Sequence, residues 1–253
     1  MAPSGRLAED YLPARAITLT RFSLRHLPEL VLCNSAEIMR TAGVAAQVVA
    51  DPYRSQLPPH AQANDGLAIG MVGRLAPWKG QDVFLRAFAA LDAPDAQARI
   101  IGLAMFGEDD YAEQLRALTD TLGLADRVTF VGFTHTVERE LAQLDVLVHA
   151  SVVPEPFGQV VVEGMAAGLA VIATAAGGPL EIITPEVDGL LVAPGDVAAL
   201  TTALQRLTGD AALRAHLGGA AANRARDFRP EVIGERAMRL YRELLGVPAA
   251  VPE

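Results

Sequence analysis

From Gly66 onward the chain alternates short, nearly continuous apolar runs with stretches in which apolar residues recur every three or four positions. The run G-L-A-I-G-M-V-G-R-L reads as a strand, and Gly80–Leu91 then sets Val83, Phe84, Ala87, Phe88 and Leu91 at helical spacing. The pairing repeats as strand Arg99–Phe106 with helix Tyr111–Leu122, strand Arg127–Phe133 with helix Val137–Leu144, and strand Asp145–His149 with a helix opened by Gly158. Strand Ala170–Ala175, a short helical turn at Leu180–Ile183 and strand Gly189–Val192 complete it. Apolar runs without polar alternation belong to strands covered on both faces, so the pattern predicts an α/β fold with a doubly wound parallel sheet. Such sheets bind ligands at the carboxyl ends of their strands. Gly73–Arg74, Gly107, Phe133, His149–Ser151 and Gly177–Gly178 are predicted to fall there.

Helical periodicity continues past the sheet, from Asp196, a plausible N-cap, to about Leu207, over Ala211–Phe228, and over Pro230–Leu245 with proline in the first turn. At the front, Glu29–Cys33 reads as a strand leading through Asn34–Ser35 into a helix ending near Gly43, followed by an extended piece at Gln47–Ala50. The Pro-rich stretch 52–65 reads as a linker. The chain is thereby divided into 1–51, a linker 52–65, a main domain 66–228, and a last helix and tail 229–253.

Charge and cysteine content narrow the partners. With 30 acidic against 21 basic residues in 253, the net charge is −9, which disfavours a nucleic-acid or anionic-membrane surface. An anionic ligand must then be held by a few placed cations and backbone amides. The single cysteine, Cys33, reads as a buried small hydrophobe, and no Cys/His cluster has metal-ligand spacing. No apolar signal core or membrane-length run is evident, so a soluble, cytoplasmic chain is expected.

The densest chemistry lies in P-E-P-F-G-Q-V-V-V-E, from Pro154 to Glu163. Gly158 opens a helix, and the amides of Gly158, Gln159 and Val160 at its N-terminus form a natural anion site. Glu155 and Phe157 precede it, and Glu163 follows inside the helix. A glycosidase acid/base pair would need the two carboxyls about 5–10 Å apart. Eight helical residues rise about 12 Å, which suits Glu163 better to accepting hydrogen bonds from a diol such as a ribose. In G-R-L-A-P-W-K-G, Arg74 follows a strand and Lys79 starts a helix, a fork and a point charge suited to a diphosphate. His149 is either a core histidine or a contact residue. In the strand-to-helix turn A-A-G-G-P-L-E, Glu181 either caps the helix that follows or faces the crevice. Gly107 and Gly132 allow tight turns or close approach, with a base packing over Gly132–Phe133 as the functional version. Trp78 and Tyr53 carry no assignment, and His135 and His216 read as surface. No Ser-His-Asp order, Walker loop or G-x-G-x-x-G after a strand is present.

Taken in order, G-R-L-A-P-W-K-G, V-T-F-V-G-F, H-A-S, E-P-F-G-Q-V-V-V-E-G-M-A-A-G and A-G-G-P-L-E-I-I resemble the retaining GT-B glycosyltransferases of family 4, from about Val31 to Leu244. The resemblance implies a Rossmann-like, donor-binding C-terminal domain. It implies that Arg74 and Lys79 bind the diphosphate of a UDP-, GDP- or ADP-linked sugar, with Gly73, Gly107 and His149 nearby. The Gly158–Val160 amides would receive the distal phosphate, Glu155 the donor sugar, Glu163 the ribose, and Phe133 the base, with Phe157 also among the donor-binding residues. Arg74, Lys79 and Glu155 would be the catalytic set, with front-face attack, retention and no metal or other cofactor. Such enzymes carry the acceptor on an N-terminal domain of which only the tail is recognisable here, and their last helix packs back on it. The expected activity is transfer of a hexosyl group, with a separate acceptor-binding chain or self-association as partner and a membrane-peripheral location in a full-length form. The alternatives are a non-catalytic nucleotide-sugar-binding subunit, an inactive truncated transferase, and a sugar-nucleotide epimerase of similar architecture.

Overall fold

The computed structural model of the chain describes residues 30–43, 45–53 and 66–246, together with Ser23 and His26. Glu29, residues 54–65 of the expected linker and the tail after Gly246 lie outside the described residues. The front forms a small unit in which β1 (Leu32–Cys33) and β2 (Gln47–Val48) pair in parallel, Leu32 against Gln47, across α1 (Ala36–Ala42).

The main body is built from β3 (Ala68–Val72), β4 (Gln97–Ile101), β5 (Val128–Gly132), β6 (Val146–His149), β7 (Ala170–Thr174) and β8 (Leu190–Val192). All pair in parallel, in the order β5-β4-β3-β6-β7-β8. Helices α2 (Gln81–Ala89), α3 (Asp109–Thr121), α4 (Val137–Leu141), α5 (Gln159–Ala166), α6 (Pro179–Ile182), α7 (Val197–Gly209), α8 (Ala211–Ala225) and α9 (Pro230–Leu245) flank it. The predicted doubly wound sheet is what forms.

Alternation along the central strands explains the two-sided cover. Ile69, Met71, Val146, Val148 and Ile172 face one way and pack with Phe84 and Phe88 of α2 and Leu204 of α7. Ala68, Leu147, Val171 and Ala173 face the other way and pack with Val161 and Met165 of α5 and Ala221 of α8. Every residue of β6 and β7 is buried, so these strands read as unbroken apolar runs.

Several boundaries differ from the sequence pattern. The apolar run Arg99–Phe106 overstates its strand, because β4 leaves the sheet at Ile101, where its register against β5 shifts. Phe106 then takes a left-handed φ of 57°, so Gly107 lies on the loop entering α3 rather than at a strand end. Helix α4 ends at Leu141 rather than Leu144, and the Ala211–Phe228 helix tightens into a 3₁₀ turn over Arg226–Phe228. The expected caps form: Asp196 Oδ1 accepts the Ala199 N–H at 2.9 Å, and Pro230 occupies the first turn of α9.

The front unit docks on the main body through polar contacts at α1. Ser35, fully buried, accepts the Ile38 N–H as N-cap and donates its hydroxyl to the Pro156 carbonyl. Glu181 of α6 accepts the N–H groups of Ala36 and Glu37 at 3.0 and 3.3 Å. Neither reading of Glu181 holds: it caps α1 of the front unit rather than its own helix or the crevice. Glu181→Ala is expected to cost about 1 kcal/mol in docking α1, the size of a lost cap. Faster amide exchange across 36–42, with α8 unchanged, is the result that checks it.

Candidate active site

The strand order reverses direction between β3 and β6, which pair directly (Ile69 with Val146). After β3 the chain passes to α2 on one face, and after β6 to α5 on the other, so a crevice opens at the carboxyl ends of these strands. A tight contact closes its floor. Gly80, at φ 74°, lies so close to the Ala150 carbonyl that a Cβ there would overlap it. The Pro77–Lys79 turn is thereby held against the loop that follows β6, and the Val152 N–H donates to the Trp78 carbonyl at 2.9 Å.

This places Lys79 beside Glu155, Nζ to Oε2 at 2.7 Å, with both side chains largely buried. Two further donors reach the same oxygen: His149 Nε2 at 3.1 Å and Ser151 Oγ at 2.9 Å. Burial alone would raise the Glu155 carboxyl, but the His149 hydrogen bond and the Lys79 charge outweigh it and pull it down to about 2. The carboxylate is thus a fixed anion, unlike the raised group an acid catalyst needs.

Gly177 and Gly178 pin the loop that carries Glu155. The Gly178 N–H donates to the Glu155 carbonyl at 2.8 Å, and a Cβ on Gly178 would fall on the Phe157 carbonyl. From this loop Gly158 enters α5 at φ 98°, a backbone that L side chains rarely adopt, and no side chain caps the first amides of the helix. Glu163 lies half-buried further along α5. Burial raises its carboxyl, a bond from Gln159 lowers it and the nearby Glu138 raises it again.

Arg74 lies at the other wall. Its guanidinium is 5.6 Å from the Trp78 ring and 5.0 Å from the Phe106 ring, and its Nε lies 3.1 Å from Glu108 Oε2 without hydrogen-bond alignment. Trp78 also lies under Lys79 Nζ, at 4.3 Å from the ring centroid. A cavity of about 210 Å³ adjoins Arg74 at the carboxyl ends of β3, β4 and β5, lined by Val72, Gly73, Met105, Phe133 and Val137 among others. Phe133 is exposed at its rim and meets His135 edge-on at 4.7 Å.

The residues singled out in the sequence are thus only partly gathered. Lys79, His149 and Glu155 form one cluster beside the start of α5, whereas Gly73, Arg74 and Phe133 surround the cavity. The Phe157 ring turns into the core against Phe228 at 6.0 Å, leaving only its backbone near the site. The Gln159 side chain reaches the Pro52 carbonyl at 3.2 Å. Val160 is half-buried in the first turn of α5, and Gly107 lies beside Glu108 on the loop. Trp78 and Glu108 carried no role in the sequence, and Ser151 was placed only by its strand end and the H-A-S triplet. Among the described residues, no group of three or more His, Cys, Asp or Glu is placed to hold a metal ion, and no helix is long and apolar enough to cross a membrane.

Residues 54–224 match the family model for glycosyl transferases group 1. The chain is 35% identical over 203 residues to the lipopolysaccharide core biosynthesis glycosyltransferase LpsD of Rhizobium meliloti, covering 77% of this chain and 57% of that protein. It is 31% identical to the D-inositol 3-phosphate glycosyltransferase of Frankia alni over 98% of this chain and 64% of that protein. It therefore spans less than two thirds of these relatives. Among solved structures, Anabaena HepE in complex with UDP-glucose superposes with a TM-score of 0.84 at 27% identity, over 92% of this chain and 69% of that one. Sucrose-phosphate synthase of Thermosynechococcus elongatus superposes with a TM-score of 0.83 at 27% identity, over 94% and 64%. With the family model matched over most of its length and GT-B-like neighbours throughout the sheet, the chain belongs to the glycosyl transferases group 1 family.

Proposed function

We propose that this chain is the donor-binding part of a retaining, family 4 type hexosyltransferase, and that the crevice between β3 and β6 takes the diphosphate of a nucleotide sugar. The observation that carries the reading is the Lys79–Glu155 pair at the mouth of α5, 2.7 Å long, with helix amides beside it. Lys79 has three N–H donors, so it can keep Glu155 and still reach a phosphate. Arg74 turns Nε toward Glu108, which leaves its terminal fork for the second phosphate. The reading gives the distal phosphate to the Gly158–Val160 amides, the base to the cavity at Phe133, and the ribose to Glu163. Charge on the leaving diphosphate is then met by Lys79, Arg74 and the helix end, which gives a metal ion no role. Support comes from the neighbour that binds UDP-glucose.

The acceptor site falls to residues beyond 66–228, supplied by a longer protein, a partner chain or a second copy. Calorimetric titration of the full chain with UDP, GDP and ADP tests the reading. At least one is expected to bind, and Lys79→Ala to weaken it about 10–100-fold, the loss of one charge-assisted bond of about 1.5–3 kcal/mol. Absence of binding, or binding unchanged in both Lys79→Ala and Arg74→Ala, would overturn it. Binding without sugar transfer, even when an acceptor domain is added, would favour a module without catalysis.

A further inference from the structure

Three donors, one from the Pro77–Lys79 turn and two from the end of β6, converge on one oxygen of Glu155, and none of them falls on the other. Lys79, His149 and Ser151 all meet Oε2, at 2.7, 3.1 and 2.9 Å, and Oε1 receives none of these bonds. His149 and Ser151 also meet each other, Ser151 Oγ to His149 Nε2 at 3.1 Å, so the two side chains and the carboxylate close a triangle. Both are deeply buried, at 3% and 0% exposure, and Thr174 anchors the His149 carbonyl at 3.0 Å.

The network assigns the protons. A carboxylate can only accept, so the Ser151 hydroxyl gives its proton to Oε2, and the imidazole carries its proton on Nε2, shared between Oε2 and the hydroxyl oxygen. Nδ1 is buried without a partner. Buried polar atoms ordinarily find a partner, so an imidazole with one nitrogen orphaned is unusual. Here only the nitrogen facing Glu155 is used. Lys79 is also the donor that a diphosphate would draw on, whereas His149 and Ser151 lie behind the carboxylate.

We propose that His149 and Ser151 are positioning residues for the donor sugar: by occupying Oε2 they fix the rotation of the Glu155 carboxylate and present Oε1 to a sugar hydroxyl. The inference rests on the nucleotide-sugar reading and names the residues that would discriminate a sugar nucleotide from the bare nucleotide. The donors that hold Glu155 as an anion are the ones that orient it, so one network sets both its charge and its direction.

The test compares the affinities of UDP and UDP-glucose, GDP and GDP-mannose, and ADP and ADP-glucose for the full chain, in the pair that wild type separates best. Ser151→Ala and His149→Ala are expected to keep the bare nucleotide within about twofold, while the sugar's added affinity falls about 3–10-fold, as for one lost or misdirected hydrogen bond. His149→Gln places an amide N–H where Nε2 lies and is expected to recover most of it. Ser151→Ala removes one hydroxyl and carries the test should His149→Ala fail to fold. An added affinity unchanged in both alanine variants, or a parallel loss for nucleotide and sugar nucleotide, would make the pair mere packing and overturn the inference. So would a wild type that binds a nucleotide but gains nothing from any sugar, with nucleotide binding left standing. Absence of all nucleotide binding would remove the underlying reading as well.

Discussion

Replacing Glu155 by glutamine is expected to lower the unfolding free energy at neutral pH by about 3 kcal/mol and to flatten the acid limb of the stability profile. The wild-type carboxyl is held at about 2 against an ordinary 4.5. Its ionised form is therefore favoured in the folded chain, and the stability it contributes is present above the unfolded value near 4.5. That contribution is lost as pH falls from about 4.5 through about 2, and is gone once both states are protonated below that. A shift of this size corresponds to about 3 kcal/mol. Glutamine keeps the shape and an accepting oxygen, but it leaves the Lys79 charge without its counter-ion in a site where both side chains are less than one-fifth exposed. Urea unfolding at pH 7, 5 and 3 is expected to show the wild-type advantage shrinking with acidity. An advantage that stays constant across this range would mean that the carboxylate's charge is not what the fold uses.

Gly178→Ala is expected to abolish most nucleotide affinity while costing about 1–3 kcal/mol of stability, the usual range for forced overpacking. Gly178 has ordinary helical dihedrals, φ −53° and ψ −38°, so the backbone itself would accept alanine. The obstacle is the added methyl, which would fall on the Phe157 backbone rather than on a side chain that could turn aside. The loop carrying Glu155 must then move away from its bond to the Gly178 N–H. Gly219→Ala makes the control. It lies exposed on α8 with nothing within 4 Å of an added Cβ, and the substitution is expected to raise stability by about 0.5–1 kcal/mol. Thermal denaturation and UDP titration of the two variants together check both effects. Unchanged affinity in Gly178→Ala would show that the loop tolerates displacement.

The sheet was legible because its central strands are buried on both faces, which removes polar alternation and leaves runs such as Val146–His149 and Ala170–Thr174. The helix at Gly158 was legible because the glycine, the apolar period and the flanking carboxylates are local. What escaped depends on contacts between distant segments. Run length cannot reveal where β4 stops, since Gly102–Phe106 is as apolar as the strand and departs only at a register shift against β5. The ring of Phe157 looked available beside Glu155, but Phe228, far along the chain, takes it into the core. Arg74 was readable as a cation at a strand end, whereas its setting between Trp78, Phe106 and Glu108 needed the folded loop. The role of Glu181 required α1, which lies 145 residues upstream of it.

That last contact has a thermodynamic consequence. Ser35 holds the carbonyl of Pro156, and Glu181 follows closely on the two glycines that pin the same loop. The seating of α1 and the order of the Glu155 loop are therefore linked equilibria. By reciprocity, whatever free energy a bound ligand gains from a seated α1, the seating of α1 gains from the ligand. A mutation confined to the front unit would then register as weaker ligand binding, although no atom of that unit need touch the ligand.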